Sequence, residues 1–261
     1  MNILVFVKQI PNTSEVKLDP KTGNLCRDGV ESVINPLDRN AIEAAVRLRD
    51  AHGGKLTAIT MGPPQAADVL RKAMALGCDD AYLLTDRAFG GADTLATAYT
   101  LAEAAKKIGQ YDLLLFGQHS ADGDTAQVGA AVAAFLGIPQ VTLACSLECR
   151  DGWAYCDRAL GDSIQLVRAK LPAAVMVTAD INEPPYASPL NILAALDKPI
   201  TVWDAAELGV DISRTGILGS PSVTKRVFAP AKGDGSVEFF TGSVKDMAVK
   251  FVDMLASEHL I

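Results

Sequence analysis

The stretch from residue 117 to 129, GQHSADGDTAQVG, contains the residue types and spacing best suited to holding an anion. It follows the apolar run DLLLF and has the form of a glycine-containing loop that opens a helix. At such a position, free backbone N–H groups and the helix dipole both favour a phosphate. Three side chains add neutral hydrogen-bond donors, namely Ser120, Thr125 and Gln127. The stretch predicts a phosphate-binding loop whose contacts are backbone amides and hydroxyls rather than side-chain cations.

The same loop is acidic, which is unusual for an anion site. It carries Asp122 and Asp124, and His119 is its only side chain that can become cationic. It matches neither GxGxxG nor the P-loop pattern, so a plain strand-to-helix turn with Asp124 as the helix N-cap remains an alternative. An EF-hand calcium loop is excluded, because Ala133 stands where that loop requires a glutamate. We expect Asp122 to brace the turn at Gly123 or to meet a ribose hydroxyl.

No residues have the spacing of a standard catalytic centre. The three histidines are His52, His119 and His259, and neither GxSxG nor HExxH occurs. Ser120 beside His119 does not make a dyad, because adjacent loop residues rarely face each other. Nucleotide-binding features without acid–base machinery indicate that a bound cofactor carries the chemistry. We therefore predict no catalytic residue in this chain.

The cysteines do not have the spacing of a metal site. Three of the five cluster, but they form no CxxC pair and have no histidine nearby. We interpret all five as buried or half-buried thiols and predict no metal, with a metal or iron–sulfur site as the alternative. The five are Cys26, Cys78, Cys145, Cys149 and Cys156.

Composition excludes several classes of protein. The 261 residues are 49% hydrophobic and 21% charged, which is typical of a globular α/β protein with a sizeable core. The net charge of -7 argues against a partner that is a nucleic acid or a membrane surface. No apolar run reaches the roughly 20 residues that span a bilayer. The N-terminal residues MNILVFVKQIPN lack the basic start of a signal peptide, so we expect a cytoplasmic protein.

The first two-thirds of the chain alternate between strand and helix patterns. Continuous apolar runs suit parallel strands covered by helices on both faces, and glycines end the intervening helices, which begin at Asn35-Pro36, Pro63-Pro64, Asp93 and Asp124. The predicted fold is a doubly wound parallel sheet. Its strands are expected at 3–7, 56–60, 81–85, 112–116 and 173–178.

The pattern changes beyond residue 139. Alternating apolar and polar residues predict a small antiparallel excursion that turns at Asp151-Gly152. The last stretch has too little apolar content for its own core and ends in an amphipathic helix near SVKDMAVKFVDMLASEHL. We expect a nucleotide-binding α/β domain over residues 1–195 and an extended C-terminal arm over residues 196–261.

Three glycine- or turn-rich stretches follow the predicted strands, where open parallel sheets bind ligands. They are MGPPQ, DRAFGGADT and GQHSADGDTAQVG. The chain is similar along its whole length to the β subunit of electron-transfer flavoprotein, and the segments that carry this resemblance are VKQIPNTSEVKLDPKTG, NPLDRNAIEAAVRL, ITMGPP, ALGCDDAYLL, DGDTAQVG and NEPPYASPLNI. The resemblance implies an adenine-nucleotide-binding domain whose C-terminal arm packs on a homologous α subunit.

That family has two branches, and the resemblance leaves both open. In one, the β subunit holds a structural AMP and the heterodimer takes electrons from acyl-CoA dehydrogenases. In the other it holds FAD, accepts electrons from NADH, and bifurcates them to the α-subunit FAD and a dehydrogenase and to a low-potential acceptor such as ferredoxin or flavodoxin. The spellings DGDTAQVG and DRAFGGADT are more similar to the bifurcating branch. A stand-alone nucleotide-binding or stress-sensing domain is a third alternative.

The resemblance also implies which residues bind. NADH would meet the segment containing Gly90, Gly91, Ala92, Asp93 and Thr94. The FAD or AMP contacts would be Phe6, Lys8, Asn35, Pro36, Leu37, Asp38, Met61, Gly62, Gly117, Gln118, His119, Ser120, Ala121, Asp122, Gly123, Asp124, Thr125, Ala126, Gln127 and Val128.

Two regions depart from the family pattern. Gln118-His119 stand where bifurcating relatives usually carry an arginine-containing motif, which puts the nucleotide's identity or potential in doubt. The family's partner-recognition segment corresponds here to Tyr186, Pro189, Leu190 and Ile192, and it keeps few of the usual lysines. An unusual dehydrogenase partner or weaker docking is therefore expected.

Overall fold

The computed structural model describes residues 1–12, 17–18, 25–26, 32–222, 237 and 239–261. The strands are β1 (Ile3–Phe6), β2 (Gln9–Pro11), β3 (Lys17–Leu18), β4 (Leu25–Cys26), β5 (Ser32–Ile34), β6 (Leu56–Met61), β7 (Asp80–Leu84), β8 (Leu113–Gly117), β9 (Gln140–Arg150), β10 (Trp153–Leu160), β11 (Ser163–Lys170), β12 (Ala173–Val177) and β13 (Thr201–Trp203). The α-helices are α1 (Pro36–His52), α2 (Ala67–Ala75), α3 (Thr94–Ile108), α4 (Val128–Leu136), α5 (Pro189–Asp197), α6 (Ala205–Leu208) and α7 (Val244–Ser257).

A nine-stranded sheet forms the centre of the molecule, in the order β11-β10-β9-β12-β8-β1-β6-β7-β13. Neighbours from β9 to β13 along this order run parallel, whereas β9, β10 and β11 pair antiparallel. Small antiparallel pairs, β2 with β5 and β3 with β4, lie beside it. The predicted α/β class with a mainly parallel sheet and an antiparallel excursion is confirmed.

Helices cover both faces of the parallel strands. Ile3 and Val5 of β1 pack with α1 and α2, while Leu4 and Phe6 pack with α3 and α4. Successive side chains of a strand point to opposite faces, so a strand covered on both sides needs the continuous apolar run that predicted it. The five parallel strands predicted in the first 178 residues lie within a residue of the expected bounds.

Most of the predicted helix ends are confirmed. Gly53 follows α1, Gly109 follows α3, and Gly137 adopts the left-handed conformation after α4. The Asp93 carboxylate caps α3 by accepting from two backbone N–H groups. Asp124 does not cap α4, so that prediction is wrong: the helix begins four residues later, at Val128, with no side-chain cap.

The antiparallel hairpins extend the main sheet rather than forming a layer of their own. The first turns at Asp151-Gly152, where both residues have positive φ, as predicted. The four described cysteines are free thiols, and no group of three metal-binding side chains comes together in the part of the chain that the structure covers. The Cys26 side chain lies outside the described part.

After α5 the chain returns to the main sheet before it reaches α7. β13 pairs with β7 at the sheet edge, and Ala205 donates its N–H to Asp86. The segment 211–222 lies against the loop after β7, whereas no residue of α7 is buried. The division at residue 195/196 stays a prediction. None of the described helices has the length and hydropathy to cross a membrane.

Candidate functional site

The chain reverses its direction of travel across the sheet between β1 and β8. From β1 it proceeds outward through β6 and β7, and α3 then carries it back to β8 on the other side of β1. The carboxyl ends of these two strands are in register, and their last rings, Phe6 and Phe116, stack with centroids 4.3 Å apart. Open parallel sheets bind ligands in the crevice at such a point. The loops after β1 and β8 therefore leave side by side at the expected site.

Asn35 connects the start of α1 to the loop after β8. Its side-chain Nδ2 donates to the His119 carbonyl at 2.9 Å and to Asp38 Oδ1 at 3.0 Å. Its Oδ1 accepts from the Ala121 N–H at 3.2 Å. The residue precedes α1 but makes no side-chain capping bond there. Its side chain braces the loop after β8 instead of capping its own helix.

Asp38, in the first turn of α1, is the buried carboxylate that accepts from the Asn35 amide. The carboxylate accepts from the Lys8 backbone N–H at 2.7 Å and from the Gly117 N–H. Burial raises the pKa of Asp38 to about 7, and the hydrogen bonds from Asn35, Lys8 and Gly117 offset this only in part. A Cβ on Gly117 would lie 2.5 Å from Asp38 Oδ1 and 2.8 Å from the Leu37 backbone. Glycine is required here by close packing.

Lys8 supplies the cation that the loop itself lacks. Its Nζ contacts Asp122 Oδ1 at 2.7 Å and Ser120 Oγ at 3.2 Å. Partial burial would raise the pKa of Asp122, but the hydrogen bond and charge of Lys8 hold it below the usual value. His119 Nε2 stands 3.7 Å from Asp124 Oδ1. Asp122 thus faces the Lys8 cation and Asp124 lies near the His119 imidazole, so the loop presents a mixed surface.

The loop has an unusual backbone. Asp124 and Ala126 have φ of 49° and 53°, in the left-handed region that favours glycine, whereas Gly123 does not. The Asp124 N–H bonds to the Ser120 carbonyl at 2.8 Å and closes a tight turn. A Cβ on Gly123 would crowd Ser120 Oγ at 3.3 Å. The φ of Gly123 does not require glycine, and an added Cβ would fit tightly against the Ser120 hydroxyl.

A cavity of about 460 Å³ opens beside the loop. Its volume falls in the range of small-molecule sites, about 300–1,000 Å³. The walls that the sequence analysis did not identify come from β9, β10 and the turn after β12. They have no local motif, because only the fold brings them to the loop. They are Leu143, Ala159, Thr178, Ala179 and Asp180, and the predicted residues that join them are Asn35, Pro36, Leu37, Gln118, His119 and Ala121.

Only six of the twenty predicted contacts line this cavity, and three of the other fourteen lie at the carboxyl ends of β1 and β6. Phe6 is buried in the core against Phe116, and Met61 is half-buried at the end of β6, next to β1. The Gly62 N–H donates to the Leu84 carbonyl at 3.0 Å. These residues shape the sheet edge around the site.

The predicted NADH-binding segment, residues 90–94, is next to the loop after β8. The chain's own segment 211–222 covers part of it. Thr94 Oγ1 lies 3.2 Å from Gln127 Oε1, which joins the two segments. Gly91 has a φ of 69°, and a Cβ there would meet Ile217 at 2.5 Å. The Gly90 carbonyl accepts from the Ile217 N–H. The glycine pair therefore provides the surface on which the C-terminal segment packs.

The predicted partner-binding residues form an exposed surface. Tyr186 is 92% exposed and Leu190 78% exposed, and Pro189 begins α5 behind the cap Ser188. Ile192 and two further leucines of α5, Leu193 and Leu196, are also exposed. Arg39 lies over the Tyr186 ring at 5.5 Å. We call the exposed side chains of Tyr186, Leu190, Ile192, Leu193 and Leu196 the α5 surface.

The doubly wound sheet, its reversal point and the braced loop define an α/β protein with a candidate ligand site at the carboxyl end of its sheet. Residues 22–208 match the electron transfer flavoprotein domain. The chain is 44% identical over 264 residues to "Caffeyl-CoA reductase-Etf complex subunit CarD" of Acetobacterium woodii and 45% over 262 residues to the electron transfer flavoprotein subunit beta of Clostridium acetobutylicum, with 100% of each chain covered. It is 42% identical to protein FixA of Azorhizobium caulinodans, covering 88% of this chain and 85% of that one. The chain belongs to the electron transfer flavoprotein family, and the predicted resemblance to its β subunits is confirmed.

Proposed function

We propose that this chain is the β subunit of a heterodimeric electron-transfer flavoprotein that binds FAD and accepts electrons from NADH. In this proposal the electrons are bifurcated between the α-subunit FAD with a dehydrogenase and a low-potential acceptor such as ferredoxin or flavodoxin. The observation that carries it is the braced loop with Lys8 at the reversal point of the sheet. The full-length similarity to a subunit named for a reductase–Etf complex supports the association with a dehydrogenase.

The residues at the site fit a nucleotide. A phosphate would meet the Lys8 ammonium and the hydroxyl of Ser120, and a ribose hydroxyl would meet Asp122. A lysine paired with a carboxylate suits a ligand that carries both a phosphate and a diol better than inorganic phosphate. Bound FAD would supply the redox chemistry, and this chain's residues would bind and orient it.

A structural AMP is the second candidate, with electrons drawn from an acyl-CoA dehydrogenase. One observation favours it. The Gly90 N–H donates to Arg87, and the Asp93 N–H donates to Ser220 at 2.8 Å, so part of the proposed NADH segment is already bonded. Fewer amides remain there for a dinucleotide.

Counting cofactors separates the two candidates. The chain would be purified with its α subunit, and FAD and AMP released by denaturation would be measured per heterodimer, followed by anaerobic titration with NADH. Two FAD and rapid bleaching by NADH are expected. One FAD with one AMP, and no bleaching, would establish the second candidate instead. A stable monomer that does not pair with the α subunit would favour the stand-alone domain.

We also propose which surfaces meet the partners. The α5 surface would dock the dehydrogenase, because its leucines are exposed while the helix backbone is held by Arg71, which donates to the Ala195 carbonyl at 2.8 Å. The exposed apolar side chains of α7, including Val249, Phe251 and Val252, would pack on the α subunit. Exposed apolar patches of this kind mark interaction sites.

A further inference from the structure

Three segments of the chain converge on one buried carboxylate. Asp38 is 5% exposed and accepts hydrogen bonds from the Lys8 backbone N–H, the Asn35 amide and the Gly117 N–H. These donors belong to the segment after β1, the residue before α1 and the last residue of β8. A side chain this buried is poorly placed to contact a ligand directly, yet it touches each segment that forms the site.

We propose that Asp38 is a positioning residue for the nucleotide-binding loop, and that neutralising its carboxylate lowers the affinity for the nucleotide. The inference rests on the proposed function, since it needs a nucleotide at this loop. Asp38 would act through Asn35, which holds His119 and Ala121, and through Lys8, whose side chain reaches Asp122.

The chemistry of the donors explains why charge matters. All three groups that face Asp38 are N–H donors, which a carboxylate can satisfy with two acceptor oxygens. A neutral carboxyl carries its own O–H, which would oppose one of these donors. At least one contact would then weaken, and the resulting movement of Asn35 or Gly117 would displace the loop after β8.

The Asp38 carboxylate changes its charge at an experimentally accessible pH. Burial raises the pKa of Asp38 to about 7, so its charge changes near neutrality. Hydrogen bonds that favour the carboxylate are lost as the pH falls through this value, and nucleotide affinity should fall with them. Neighbouring elements contribute other titratable groups, which must be separated from Asp38: Lys8 after β1, His119, Asp122 and Asp124 on the loop, Asp180 after β12, and Arg39 on α1.

The test measures the affinity for AMP and for FAD between about pH 6 and about pH 8, using the full chain purified with its α subunit and freed of nucleotide. The wild type should bind several-fold more weakly at the lower pH. Asp38→Asn should bind about tenfold more weakly at the higher pH, with little pH dependence. The matched control is Asp162→Asn, on the exposed β10–β11 turn, which should follow the wild type. His119→Gln should keep the pH dependence.

Specific outcomes overturn the inference. Wild-type affinity and pH profile in Asp38→Asn would do so, as would a pH dependence that disappears in His119→Gln. If the wild type binds neither nucleotide at any pH, the proposed function fails instead. Should Asp38→Asn not fold, hydrogen exchange of the wild type without nucleotide decides. The Ala121 and Asp124 amides should lose protection as the pH falls, after correction for intrinsic rates, and constant protection would overturn the inference.

Discussion

Replacing Asp93 with asparagine should loosen the C-terminal segment while leaving α3 capped. One carboxylate oxygen accepts from the Leu95 and Ala96 N–H groups at 2.9 and 3.1 Å. The other accepts from the Ser222 N–H at 3.1 Å and the Ser222 hydroxyl at 2.8 Å. Asparagine keeps one oxygen for the helix and places an amide NH₂ against the Ser222 N–H, while the Ser222 hydroxyl can turn to accept from that amide. The substitution therefore separates two roles of one side chain.

The magnitude follows from the bonds that each variant loses. A net hydrogen bond contributes about 0.5–1.5 kcal/mol to stability. Asp93→Asn loses the bond from the Ser222 N–H and leaves that donor facing an amide NH₂, and Asp93 is half-buried, so we expect it to lower the free energy of unfolding by about 1–2 kcal/mol. Asp93→Ala also removes the cap, which adds about 1 kcal/mol. For a chain of this size each kcal/mol lowers Tm by about 2–4 °C.

Two measurements report the effect. Urea unfolding gives the loss of stability, and limited proteolysis reports cleavage on the C-terminal side of Ser222, which should accelerate in both variants. Although burial alone would raise it, hydrogen bonds from Ala96, Ser222 and Leu95 hold the pKa of Asp93 below its ordinary value of 3.8. The stabilisation is therefore present above pH 3.8 and is lost as the pH falls through the lower folded-state value.

Ser222→Ala serves as the partial control, because it removes only the hydroxyl bond. If Asp93→Asn unfolds and is cleaved like the wild type, the Ser222 contact contributes nothing and the reasoning is refuted. Normal stability combined with loss of reduction by NADH would assign Asp93 to the dinucleotide instead.

Three other variants test separate parts of the molecule. Lys8→Met should weaken AMP binding in calorimetry by about tenfold or more but barely change Tm, because an exposed ion pair contributes only about 0–1 kcal/mol; equal binding by Lys8→Met and wild type would contradict a phosphate contact. Gly91→Ala should lower the urea-unfolding free energy by about 1–2 kcal/mol because of its positive φ and its contact with Ile217. Adding Ile217→Ala should recover part of that loss, and no recovery would argue against this contact. Leu190→Glu should abolish dehydrogenase capture while leaving flavin content unchanged, and retained capture would exclude the α5 surface.

The sequence predicted the sheet well because burial on both faces leaves a local signal. β1, β6, β7 and β8 read as continuous apolar runs, and glycines end the helices between them. The start of α4 was mispredicted for an equally physical reason. Asp124 has the residue type of a cap, but Asp124 and Ala126 adopt left-handed conformations that delay the helix to Val128.

The site was only partly predictable. The loop after β8 is recognisable from its glycines and hydroxyls, but its cation comes from Lys8, which is 114 residues away from Asp122. Leu143 and Ala159 line the cavity without any motif, because strands far along the chain bring them there. The sequence also predicts that Gly91 serves a nucleotide, which stays a prediction, but no local pattern indicates that Ile217 lies against this glycine.

The position of β13 has a consequence for synthesis of the chain. β7 is made early but forms the outer strand of the sheet until residues 201–203 pair with it through Tyr82, Leu83 and Leu84. While the ribosome adds the intervening residues, the backbone N–H and C=O groups along that side of β7 have no strand partner. Unpaired strand edges recruit other chains. The nascent polypeptide therefore presents an open β7 edge to misassociation, and to chaperone capture, between completion of β7 and emergence of Trp203.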